Sequence, residues 1–206
     1  MLILRQWLYQ FYAPGDMAGL IDLLGGREAF IRRLDTLHDS GVLDMGDEQA
    51  FLTAFLYHYA GRPGLSTNRV HSYIPRLFND TIAGIPGNDD SGSMGTFVVF
   101  SMLGVFPNAG QNVYLIVPPF FPSVEIKNPQ TNKTATIRNI NFDPSYKKIY
   151  IQSAKLDGQT YTKSWLSHDF FADGGTLDLV LGDKESTWGT AEDDAPPSLS
   201  TGLFLG

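Results

Sequence analysis

The chain has 206 residues, a formal net charge of −7 and no cysteine. That length holds one large domain or two small ones, and 43% apolar against 18% charged residues is enough to build a core. The acidic balance argues against nucleic acid or an anionic membrane as partner, since both recruit basic patches, and without thiols there are no disulfides, thiol catalysis or cysteine metal sites.

The opening "MLILRQWLYQFYAPGD" is apolar, but Arg5 interrupts it and no small-residue cleavage site follows, so it does not read as a signal peptide. No apolar run reaches the ~18 residues of a membrane span. Met17, Leu20, Ile21 and Leu24 share one helical face, and Gly25-Gly26 ends that helix. Phe30, Ile31, Leu34 and Leu37 repeat the pattern up to Ser40-Gly41. Phe51, Leu52, Phe55, Leu56 and Tyr59 predict a third helix, stopped by Gly61 and Pro63. Val70, Tyr73, Ile74, Leu77 and Phe78 predict a fourth, with Pro75 kinking or shortening it. Met94 to Val105 is apolar on nearly every side and is expected to be a helix buried all round. After "FPNAGQ" the period falls to two, as in Leu177, Leu179 and Leu181, and turn signals at Asn128-Pro129, Asp157-Gly158 and Gly174-Gly175 separate the runs. An antiparallel sheet of about five to seven short strands is expected there. The proline-rich polar end, from Asp183 and "EDDAPPSLSTG", reads as a mobile tail.

Three polar stretches are candidates for chemistry. In "GIPGNDDSGSMG", Asn88, Asp89 and Asp90 sit on a glycine-rich loop before a helix. Capping accounts for an acidic residue there; glycines that clear space around carboxylates equally suit a ligand or a hard cation. Both readings stand on the residues alone. In "MGDEQAF", Asp47 and Glu48 precede a helix and complement its dipole, or contact a ligand. In "YHYAGRP", Tyr57, His58, Tyr59 and Arg62 read mainly as packing, with sugar contact as the alternative. His38, His71 and His168 show no ligand spacing. Ser91, Ser93 and Ser101 lack a nucleophile elbow, and phosphate-loop and dinucleotide glycine patterns are absent. Two N-glycosylation triplets occur, Asn79-Asp80-Thr81 and Asn132-Lys133-Thr134; such short triplets arise often by chance.

The segments "GDEQAFLTAFLYHYAGRP", "YIPRLFNDTIAGIPGNDDSGSMGTFVVFSMLGVFPNAGQNVYLIVPPFF" and "YIQSAKLDGQTYTKSWLSHDFFADGGTLDLVLGDKESTWG" together resemble glycoside hydrolase family 92, the calcium-dependent exo-α-mannosidases, in a fungal style. The resemblance runs from about Trp7 to Gly189. It implies an α+β arrangement: helical hairpins of a partial (α/α) toroid over residues 1–106, an antiparallel β-strand region over 107–189, and a tail over 190–206. It implies inverting hydrolysis of terminal α-mannosyl linkages, α-1,2 linkages of N-glycan-type oligosaccharides, with calcium as cofactor and members often in the secretory pathway. Asp90 matches the family's general base and Asp89 a supporting position. Asn88 stands where some members have a second aspartate and cannot act as a base. "GDEQ" resembles the family's Gly-Asn-Glu-Pro motif, which makes Glu48, with Asp47, a candidate for sugar or calcium contact. The family's general acid is a glutamate shortly before a segment resembling "WLYQFYAPGD"; here "MLILRQ" holds no carboxylate. The expectation is a C-terminal part of a mannosidase, lacking the acid and the N-terminal β-sandwich that would be its partner. On that footing the isolated chain is inactive, and the alternatives are a calcium-assisted mannose-binding remnant or a purely structural one.

Overall fold

The computed structural model describes residues 2–202. The helical half comprises α1 (Leu2–Tyr9), α2 (Met17–Leu23), α3 (Arg27–Asp39), a 3₁₀ segment (Glu48–His58), α4 (Pro63–Leu77) and α5 (Ser93–Leu103). The periodic faces behave as expected: Phe30, Ile31, Leu34 and Leu37 of α3 are all buried. Pro63 opens α4 at the position where a missing N–H costs nothing. Pro75 lies in the last turn of α4, which ends two residues later.

Two helical expectations are corrected. The third helix is a 3₁₀ run of 11 residues, long for its type. It is held from outside, since eight of its side chains, Ala50, Phe51 and Thr53 to His58, are buried. Helix α5 is not buried all round. Met94, Phe97 and Ser101 face the core, but Gly95 and Thr96 are exposed and Val99 is 54% exposed.

The strands begin at Val105: β1 (Val105–Pro107), β2 (Tyr114–Ile116), β3 (Ser123–Lys127), β4 (Thr134–Ile140), β5 (Tyr150–Leu156), β6 (Gln159–Tyr161), β7 (Trp165–Leu166) and β8 (Thr176–Gly182), with α6 (Asp169–Asp173) before the last. They form two sheets, ordered β1-β2-β7 and β3-β4-β8-β5-β6. The expected single antiparallel sheet of about five to seven strands is corrected: among the described residues there are eight strands in two sheets, and β8 inserts between β4 and β5 and runs parallel to β4. Burial alternates along β8, with Leu177, Leu179 and Leu181 inward.

The small sheet is the seam between two cores. Leu115 on β2 faces the helical core and its neighbour Ile116 faces the sheet core, as a period of two requires. His58 Nε2 donates to the Ile116 carbonyl at 2.8 Å and locks the 3₁₀ segment to that strand.

The expected tail is docked as far as it is described. Pro196, Pro197 and Ser198 are buried. Ala18 N–H donates to Ser198 Oγ at 3.1 Å, and Leu199 N–H to the Gly15 carbonyl at 3.1 Å. Two prolines limit the freedom of the stretch, and its polar groups find backbone partners. Residues 203–206 lie outside the described residues.

Candidate functional site

Two loops far apart in sequence meet through glycines. A Cβ on Gly87 would run into the Gly46 carbonyl oxygen and lie 2.7 Å from the Met94 methyl. A Cβ on Gly46 would lie 3.1 Å from the Pro86 carbonyl oxygen. Only side-chain-free residues permit this approach. The contact brings the start of the 3₁₀ segment, with Glu48, beside the loop leading into α5. Between them opens a cleft of about 270 Å³ lined by Glu48, Ser91, Ser93 and an aromatic floor that includes Phe51, Phe97 and Phe100. Phe51 and Phe97 stack at 4.5 Å, so the floor is fixed. An apolar floor with a few oxygen groups at the rim is how small-molecule sites are built.

The paired aspartates divide their roles. Asp89 caps α5: Gly95 N–H donates to its Oδ1 at 3.1 Å, and Ser93 N–H donates to its carbonyl at 2.7 Å. Asp90 offers α5 only its backbone carbonyl, which accepts from Ser93 Oγ at 2.8 Å. Its exposed carboxylate has no hydrogen-bond partner among the described residues. Asp90, Ser91 and Gly92 have φ of 41°, 61° and 88°, three consecutive left-handed residues. For the two non-glycines this costs on the order of 1–3 kcal/mol each, the kind of strain that gathers at functional sites. Of the two carboxylates, that of Asp89 is used by the helix and that of Asp90 is not.

Asp47 and Glu48 are half-buried, and Asp47, the residue before the 3₁₀ segment, makes no side-chain cap. Asn88 is exposed on the same loop as Asp90. Of these candidates only Glu48 lines the cleft; Asn88 and Asp90 do not, although Ser91, next to Asp90 in the chain, does. The serines were missed as lining residues because their signal, a polar side chain beside a left-handed turn, depends on backbone shape.

The residues test poorly as a self-contained cation site. Calcium takes about 6–8 oxygen ligands, and no group of three His, Cys, Asp or Glu among the described residues is arranged to hold a metal. Glu48 is the one carboxylate lining the cleft.

"YHYAGRP" is structural. Tyr57, His58 and Tyr59 are buried. Tyr57 donates to Asp35 at 2.7 Å, and Arg62 pairs with Glu185 at 2.7 and 2.8 Å. The other histidines also have partners: His38 with Tyr73, His71 with the Pro118 carbonyl and His168 with Tyr114. Burial pushes His38, His58 and His71 down to about 4, holding them neutral.

Comparison with known proteins places the chain in a family. The model of the glycosyl hydrolase family 92 catalytic domain matches residues 4–183. A secreted glycosidase of Arthroderma benhamiae, itself uncharacterized, is 60% identical over 197 residues, covering 96% of this chain and 26% of that protein. A family 92 α-mannosidase of Bacteroides thetaiotaomicron, solved with mannoimidazole, superposes with a TM-score of 0.86 at 27% identity, covering 94% of this chain and 27% of that one. A family 92 inverting mannosidase of the same bacterium gives 0.85 at 27% identity, covering 94% and 29%. The chain thus spans between a quarter and a third of the length of these relatives.

Proposed function

Because the chain belongs to glycosyl hydrolase family 92, we propose that it supplies the water-activating side of an inverting exo-α-mannosidase site. Inversion needs an acid to protonate the leaving oxygen and a carboxylate to activate water on the opposite face of the sugar. Asp90 takes the second role. It would accept a proton from water as that oxygen attacks the anomeric carbon and the glycosidic bond breaks. The observation that supports this reading is the difference between the two aspartates: the Asp89 carboxylate is bound to the α5 backbone, while that of Asp90 is exposed, without a hydrogen-bond partner among the described residues, on left-handed backbone.

Asp89 is then the support that holds the loop, while Glu48, Asp47 and Asn88 contact sugar hydroxyls. The substrate class is a terminal α-mannoside, in the first instance the α-1,2 linkages of N-glycan-type oligosaccharides. Glu48 would be one ligand of a calcium ion whose other oxygens come from sugar, water or further protein. The kinship to a secreted glycosidase supports a secretory route. For the isolated chain, which spans about a quarter of the length of its glycosidase relative, the second reading is sugar binding, or structure alone, without turnover.

The test grafts this chain in place of the matching stretch of the secreted glycosidase. The chimera should release mannose from α-1,2-mannobiose, and Asp90→Asn should lower kcat/KM about 10²–10⁴-fold with the melting temperature unchanged. A fully active Asp90→Asn chimera would refute the assignment. The 206-residue chain alone should release none, and calorimetry with mannose then separates sugar binding from structure alone.

A further inference from the structure

The two N-glycosylation triplets sit in different surroundings. Asn79 is built into its own loop: its Oδ1 accepts from Thr81 N–H at 3.0 Å and from the Thr81 hydroxyl at 2.6 Å, and its N–H donates to the Gly84 carbonyl at 2.9 Å. This loop runs directly into the acidic one at the cleft. Asn132 is at the tip of the β3–β4 hairpin, exposed, with φ of 57°. Asparagine takes that left-handed conformation more readily than most residues. The local hydrogen bonds run through Asn128, Thr131 and Lys133, and leave the Asn132 carboxamide unengaged among the described residues. The hairpin is fixed from behind. Thr131 Oγ1 donates to the Ala172 carbonyl at 3.2 Å, and Lys133 pairs with Asp173 at 2.9 Å. Thr134 is exposed at the start of β4.

We propose that Asn132 carries an N-linked glycan. This rests on the secretory reading above. In the transfer, Asn132 Nδ2 forms a bond to C1 of an oligosaccharide donor carried on a lipid pyrophosphate. The bond from C1 to the pyrophosphate oxygen breaks, the lipid pyrophosphate leaves with its electron pair, and the amide gives up one proton. The folded chain accommodates the product without losing a hydrogen bond. β3 ends the five-stranded sheet, and an exposed edge strand is a template for pairing with another chain. A glycan at the adjoining turn would screen that edge.

The experiment expresses the full chain behind a supplied secretion leader in a yeast host and maps the purified protein by mass spectrometry. A peptide amidase that turns a glycosylated asparagine into aspartate marks the site. The expected result is a glycan-sized mass shift that Asn132→Gln and Thr134→Ala each remove and Asn79→Gln leaves in place. Secreted protein with an unmodified Asn132 peptide, or a shift removed only by Asn79→Gln, overturns the proposal. Because the leader is supplied, these outcomes are independent of whether the native protein is exported and of the role of Asp90.

Discussion

The edge of the α3–α4 packing and the loops at the cleft use the same kinds of side chain in opposite ways. Beside the α3–α4 packing the charges of Arg69, Asp35 and Asp39 answer one another. Arg69 bonds Asp39 at 2.6 Å and Asp35 at 3.0 Å, Tyr57 bonds Asp35, and His38 bonds Tyr73 while stacking on Tyr57 at 5.9 Å. At the cleft, Asp89 is spent on a helix while Asp90 is unpaired and sits on strained backbone. Paired polar groups hold a fold together, whereas the strained backbone at Asp90 is what sets it apart from them.

Acid should break this contrast most strongly. His38, His58 and His71 are held neutral by burial, with pKa depressed from the usual 6.5 to about 4. Their contribution is fully present above the unfolded value and is lost as pH falls from about 6.5 toward about 4, by up to about 1.4 kcal/mol per pH unit for each histidine. Urea midpoints at stepped pH should fall through that window in the parent and in Asp90→Asn alike; a flat profile would contradict the burial of these rings. Next in size is Gly87→Ala. Its methyl would collide with the Gly46 carbonyl, parting the two loops at a cost of about 1–3 kcal/mol and lowering turnover of the grafted enzyme. Unchanged stability and activity would mean that the glycine contact does not set the cleft. The smallest effect separates the aspartates. Asp89→Ala should cost about 1 kcal/mol as a lost cap, whereas Asp90→Asn, which tolerates the same left-handed backbone, should leave stability unchanged. Equal losses in thermal melts would erase the division of roles.

The sequence showed α2 and α3 well, because their apolar residues recur at the helical period and are capped by glycines. It did not show the 3₁₀ segment: Phe51, Leu52, Phe55 and Leu56 fit an α-helix equally well, and the tighter winding depends on packing. Nor could composition reveal that α5 leaves Val99 exposed, since an apolar helix shows no preferred face. The parallel pairing of β4 with β8 joins strands separated by β5, β6 and β7 in the chain, which local alternation cannot report. At the site, glycine-rich acidic loops were visible as candidates, and family resemblance singled out Asp90. Which aspartate serves the helix was fixed by three left-handed residues that no spacing rule predicts.

The docking of residues 196–200 on the start of α2 bears on how the chain is made. Asp16 accepts from Gly19 N–H at 3.1 Å, but also from the Ser200 hydroxyl at 2.6 Å, while Ser198 takes the Ala18 N–H. Half of the cap on an early helix is thus supplied from about 180 residues later. A ribosome delivers those residues near the end of this stretch, at about 5–20 residues per second. Until then the first turn of α2 waits partly uncapped, so α2 should become protease-resistant only after residues 198–200 have emerged.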